Sequence, residues 1–316
     1  MRQFPRASSF IFAVLYLLII NNYVLSLYLG TVSSDIYNYI YNIGKTLEQG
    51  PRLENKWYFY AFISYLDSFF DFSDPYKIYL SIASVSVFLL SYKLFQNVFH
   101  SKKRLISFIL IVLILFTPTV FELIASNIRS GVAFILFLYG IKSNSRLIKL
   151  TLISLSLLIH LMILPLLCFY LLFHILKKIG LVRRSTFLSL LLLIFLSVVL
   201  CFLIKFNRST GVYQYSFLYT TLVYFITTVF IYYYSKIIKN EDGFVALGLM
   251  FMISISPFLD INIMRYLGIA FILFGIFIIN NNNNINILKK YTSIYFVLII
   301  TYQFYFFKTL LFYGYI

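Results

Sequence analysis

Long apolar runs separated by short charged gaps limit what this chain can become more than any other feature. The runs span roughly residues 10–29, 78–99, 105–121, 127–141, 147–160, 164–176, 186–204, 213–235, 244–259, 263–280 and 291–311. A helix of about 20 residues crosses the roughly 30 Å hydrocarbon layer of a bilayer, and most of the runs are near that length. Those at 127–141, 147–160 and 164–176 are short. With 61% hydrophobic and 11% charged residues in a chain of 316, a soluble domain has too little polar surface to cover itself. Backbone groups in lipid must bond within their own segment, so helices follow. The expected fold is all-α, a polytopic integral membrane protein of about 10–11 segments, with residues 1–316 as one transmembrane domain. Arg2 and Arg6 before the run 10–29 suggest a signal peptide. No small-residue cleavage site follows, so the run reads as an uncleaved first span.

The charges are sorted by side. Sixteen of the 26 Lys and Arg residues fall in alternate gaps, around 2–6, 102–104, 142–149, 177–184, 236–239 and 289–290. Cytoplasmic gaps carry such an excess, which places the N-terminus in the cytoplasm and the remaining gaps outside. Lys93 lies near the inner end of a span, and nine cations remain on the outer side. The segment 57–72 is aromatic but carries Asp67 and Asp71, and counting it as a span would reverse the charge pattern. It reads as an interfacial or re-entrant helix within the largest outer loop, 30–76. The stretch 147–176 is interrupted at Pro165, which predicts two half-spans around a break. Irregular backbone at that depth requires burial in protein or a wet cavity.

Some outer charges sit where chemistry is plausible. Arg129 and Arg265 open inward-running apolar runs, and Arg208 lies just before another. At such a helix start, unbonded N–H groups and the positive dipole end add to the guanidinium, whose planar fork suits phosphate oxygens. Together they suggest a diphosphate site at the outer surface; flanking cations also commonly reach lipid headgroups, the competing explanation. His160, in Leu158-Ile159-His160-Leu161-Met162, is placed at or near the outer face. Among aliphatic neighbours its neutral ring can serve as a base, or it can simply bond a backbone carbonyl freed by the break. Asp35 lies in Ser34-Asp35-Ile36-Tyr37-Asn38-Tyr39. A carboxylate interleaved with tyrosines suits sugar binding, with Tyr37, Tyr39, Glu54 and Trp57 as further candidates. Helix capping by Ser34 or Asp35 would use the same spacing.

Other classes lack their residues. The sequence has no Gly-rich phosphate loop, nucleophile elbow or zinc-type His/Cys spacing. Asp67, Asp71 and Asp74 do not make the Asp-x-Asp pair that holds a metal for nucleotide-sugar transfer, so no metal and no cofactor is expected. The basic residues form no continuous stripe for nucleic acid. Cys168 and Cys201 lie inside apolar runs and read as packing residues.

The order of these residues resembles the EpsG family of Wzy-type polysaccharide polymerases. The resemblance rests on Ser34-Asp35-Ile36-Tyr37-Asn38-Tyr39 after the first span and Glu54 before an aromatic helix. It continues with Asn127-Ile128-Arg129-Ser130-Gly131 opening a short span, Leu158-Ile159-His160, and Asp260 to Tyr266 with its Met-Arg-Tyr. Ser130 stands where that family often has Gln, and Leu161-Met162 replace the small polar residues usual after the His. The resemblance implies a multi-pass bacterial inner-membrane glycosyltransferase with a GT-C-like helical bundle. It would join polyprenyl-diphosphate-linked oligosaccharides on the periplasmic side, building O-antigen, capsule or exopolysaccharide. Arg129 and Arg265, at motif positions, would hold the donor's diphosphate, and His160 or Asp35 would accept the acceptor's proton; Arg208 joins the diphosphate set only by its place before an apolar run. Partners would be the lipid-linked glycans, the bilayer and a chain-length regulator. A flippase for the same lipid, a ligase for finished polymer and a sugar acyltransferase are the alternatives.

Overall fold

The computed structural model of the protein describes residues 4–21, 34–49, 57–70, 74–101, 104–121, 123–124, 127–207, 227, 234–259, 261, 263 and 265–280. Its main helices are α1 (Phe4–Ile19), α2 (Ser34–Gln49), α3 (Trp57–Phe70), α4 (Pro75–His100), α5 (Arg104–Leu115), α6 (Ile128–Ile141), α7 (Arg146–Ile159), α8 (Ile163–Lys178), α9 (Thr186–Asn207), α10 (Glu241–Ile255) and α11 (Arg265–Asn280). Among the described residues there is no strand, and the fold is all-α. Helix α4, the stretch Thr186–Phe206 of α9, and α10 with its 3-10 extension to Leu259 are long and apolar enough to cross a membrane. Where they are described, the apolar runs are helical, the run 10–29 being described only to residue 21 and the run 105–121 being interrupted at 116–117. The run 291–311 and nearly all of 213–235 lie outside the described residues.

The chain divides into two compact units, residues 1–99 with 121–164 and residues 100–120 with 165–316. In the first unit, Ile36, Tyr39 and Ile43 of α2 meet Phe59, Tyr60 and Ile63 of α3. Ile78, Tyr79 and Ala83 of α4 and Ile128 of α6 complete this core, and Ile159 of α7 packs against it. Helix α3 falls where the sequence predicts an interfacial helix. Helix α2 is an addition to the expected outer loop: its polar content breaks any apolar run, yet Ile36, Tyr39, Ile43 and Thr46 recur at helical spacing and are buried. Phe12 of α1 packs on Phe95 of α4 with the rings tilted, centroids 5.6 Å apart, and stacks on Phe99 at 5.9 Å.

Helices α6 and α7, joined by the turn 142–145, pack along each other in the first unit. Gly140 allows the close approach, since a Cβ there would lie 3.1 Å from the Ile153 side chain and 3.2 Å from Leu152. The other face of α7 is open and apolar: Leu147, Leu150 and Leu161, just past its end, are 76%, 66% and 74% exposed. An apolar face this continuous is an interaction surface, not ordinary protein exterior.

In the second unit α10 is the central helix, with almost every residue buried. The Ser197 hydroxyl of α9 donates to the Gly248 carbonyl of α10 at 3.2 Å, and the Cys201 thiol to Met252 O at 3.5 Å. Gly248 admits the Phe169 ring of α8 to a distance that any Cβ would close to 2.8 Å. The N-cap Asn240 accepts from the amides of Asp242 and Gly243, and Glu241 and Asp242 in the first turn suit the dipole. Cys168 and Cys201 are both free thiols; Cys201 is buried in the core and Cys168 is half-buried.

The expected break at Pro165 is displaced. The chain leaves helical geometry at His160, and Pro165 falls in the first turn of α8. A first-turn residue has no intrahelical acceptor for its N–H, so a proline there costs the helix nothing.

Candidate functional site

Arg129 is the second residue of α6, and α2 holds it in place. Its Nε donates to the Tyr39 hydroxyl at 3.2 Å, with the guanidinium 5.8 Å from the same ring centroid. Tyr39 is buried because it belongs to the apolar face of α2. Tyr60 of α3 is a further neighbour. Burial pushes its phenol up to about 12, opposed by the Arg129 charge and by a side-chain hydrogen bond with Asn42. Tyr60 therefore keeps its proton at neutral pH and remains a hydrogen-bond donor. A cation and two phenols thus meet at the apolar core of the first unit.

The same motif contains two polar side chains, Asn127 and Ser130, to which the sequence assigned no role of their own. Asn127, at the N-cap of α6, makes no side-chain cap and is 1% exposed; Ser130 is fully buried. The Asn127 Oδ1 and Nδ2 and the Ser130 Oγ find no hydrogen-bond partner among the described residues. Gly131, one position on, lets the chain at 123–124 approach so closely that a Cβ would lie 2.8 Å from Leu123 O. Asn127, Ser130 and Gly131 share one helical face. The signal for the first two was visible as neutral polar residues opening an apolar run, but their burial was not.

His160 caps the C-terminus of α7 in extended geometry, φ −157° and ψ 118°, its amide donating to Ser156 O at 3.0 Å. Its ring Nδ1 accepts the Met162 N–H at 3.1 Å, and its carbonyl accepts from Ile163 N at 3.2 Å. Because Ile159 packs on the cluster that contains Ile128, His160 and Arg129 lie at the same end of the α6–α7 pair. Lys142, Arg146 and Lys149 lie at the other end, in or next to its turn.

The remaining candidates divide. Tyr37 is 62% exposed and stacks with Tyr41 at 6.5 Å, and the Lys45 ammonium lies 4.6 Å over the Tyr41 ring. This open aromatic face of α2 is distinct from the buried one that carries Tyr39. Asp35 lies in the first turn of α2 and Trp57 opens α3, both described by backbone only. Arg265 opens α11 in the second unit, again by backbone only, at the helix start expected of it. Glu54 and Arg208 lie outside the described residues. Of the other histidines, His174 pairs with Glu241 at 3.4 Å in the second unit. The described residues hold no His/Cys/Asp/Glu grouping able to ligate a metal ion. Comparison with protein-family models, curated proteins and solved structures finds no match for the chain.

Proposed function

We propose that the protein is a bacterial inner-membrane polysaccharide polymerase, a glycosyltransferase joining polyprenyl-diphosphate-linked oligosaccharide units at the outer face of that membrane. The observation that carries the reading is Arg129: a guanidinium at a helix start, oriented by the buried Tyr39 and beside Tyr60. Backbone N–H groups, helix dipole and guanidinium all favour an anion there. Helix α6 has 14 residues, roughly 21 Å, against a hydrocarbon layer of about 30 Å. With Lys142, Arg146 and Lys149 at the inner surface, Arg129 and His160 are recessed by roughly 9 Å from the outer boundary. A diphosphate borne on a lipid reaches that depth sideways, and the exposed apolar faces of α7 and α9 suit contact with lipid.

In the reaction, the acceptor sugar's hydroxyl oxygen bonds to the donor's anomeric carbon. The bond from that carbon to the diphosphate breaks, and the diphosphate leaves with the electron pair. A base takes the acceptor's proton, with Asp35 and His160 the candidates. Arg129 stabilises the charge on the departing group. Tyr37 and Tyr41 offer faces for stacking on sugars. Arg265 carries the same helix-start placement in the second unit and is tested separately.

Arg129→Ala is expected to abolish long polymer while single-unit glycolipid persists in cells, and Arg265→Ala likewise. Normal polymer from the Arg129 variant removes the diphosphate role. Deletion of the gene separates the alternatives: a polymerase leaves one unit on the acceptor, a ligase none, and a flippase traps units inside.

A further inference from the structure

The geometry points to His160 as a neutral hydrogen-bond donor through Nε2 to an oxygen of the diphosphate leaving group, and not as the base; the role rests on the glycosyl-transfer reading above. Its Nδ1 accepts the Met162 N–H at 3.1 Å, so that nitrogen presents a lone pair. A neutral imidazole has one ring proton, which is therefore on Nε2. To take a proton at Nε2, the neutral ring would first need its own proton on Nδ1. That would set an N–H against the Met162 N–H, two donors in a hydrogen bond's place.

The surroundings hold the ring in this state. The His160 backbone is pinned on both sides, by its amide to Ser156 O and by Ile163 N to its carbonyl. Met162, the donor to that ring nitrogen, immediately precedes the first turn of α8. A neutral imidazole at a helix N-terminus, giving its N–H to an oxygen that gains negative charge, is an established catalytic arrangement. His160 shares its end of the helix pair with Arg129. In the balanced step, the anomeric carbon–oxygen bond breaks, the electron pair goes to the diphosphate, and Arg129 and the Nε2–H stabilise it. The acceptor's proton goes to a carboxylate, Asp35.

Two measurements test this. The first uses His100→Gln, His174→Gln protein with ¹⁵N-labelled histidine in lipid nanodiscs, leaving His160 as the single labelled ring. Nitrogen shifts are expected to show Nε2 protonated and Nδ1 bare at neutral pH. A proton on Nδ1, or on both nitrogens, overturns the assignment. This readout involves no polymer and stands whether or not the polymerase reading does. The second compares side chains in cells whose wild-type protein makes polymer. Gln retains an N–H donor at the reach of Nε2 and is expected to keep polymer output within about tenfold, whereas Ala loses about 100- to 1000-fold. Equal loss in Gln and Ala overturns the donor role.

Discussion

At the residue scale, the guanidinium of Arg129 is placed by one bond to a buried phenol, which makes that phenol a positioning group. Tyr39→Phe keeps the ring under Arg129 and removes only the acceptor. A hydrogen bond to a charged group contributes about 1.5–3 kcal/mol, so thermal unfolding in detergent is expected to show a loss of that order. Polymer is expected to shorten in the same variant, because the cation loses its fixed orientation. Ser130 predicts the opposite sign. Its buried hydroxyl has no partner among the described residues, so Ser130→Ala is expected to raise stability by about 1 kcal/mol. If the same melt shows a loss, the hydroxyl is satisfied. Arg129 was legible from the chain because a cation interrupting an apolar run stands out. Tyr39 as its partner was not, because the two are 90 positions apart and only folding brings them together.

At the scale of elements, close backbone approach decides which glycines tolerate change. At Gly131 a Cβ would meet the Leu123 carbonyl at 2.8 Å, and at Gly268 the Thr119 carbonyl at 2.6 Å. Backbone cannot swing aside as a side chain can. Ala at either position is expected to cost about 1–3 kcal/mol by overpacking. Gly140 faces the Ile153 and Leu152 side chains at 3.1–3.2 Å and is expected to cost less. Thermal melts of the three variants give the ranking; Gly140→Ala as the worst would mean that the helix pair, not the start of α6, is the tighter contact. Helix positions were largely readable, since an apolar run is a local property. Only the capping alternative at Ser34 and Asp35 pointed to helix α2, because its buried face is a periodic subset of a polar segment. Pro165 misled because a proline both breaks helices and begins them.

For the whole molecule, the charge pattern and the α6–α7 pair make one joint prediction. A cysteine at Asn144, in the turn between those helices, is expected to react with a charged maleimide only in inverted vesicles. A cysteine at Tyr37, on the exposed face of α2, is expected to react only in intact spheroplasts. Both are made with Cys168 and Cys201 replaced by Ala. Asn144→Cys labelling from outside would reverse the sidedness and leave Arg129 facing the cytosol, away from any lipid-linked glycan displayed outside.

The sequence by itself determined where the apolar helices lie, how much of the chain prefers lipid to water, and which of those helix starts carry cations. Those properties follow from composition and spacing over windows of 15 to 20 residues. The tertiary structure alone decided that Tyr39 supports Arg129 while Tyr37 stays open, that Asn127 and Ser130 are buried, and that His160 Nδ1 accepts a hydrogen bond. The first two depend on neighbours distant in sequence, and the third on the backbone turn at 160–162. Neither kind of contact leaves a periodic trace in the order of residues.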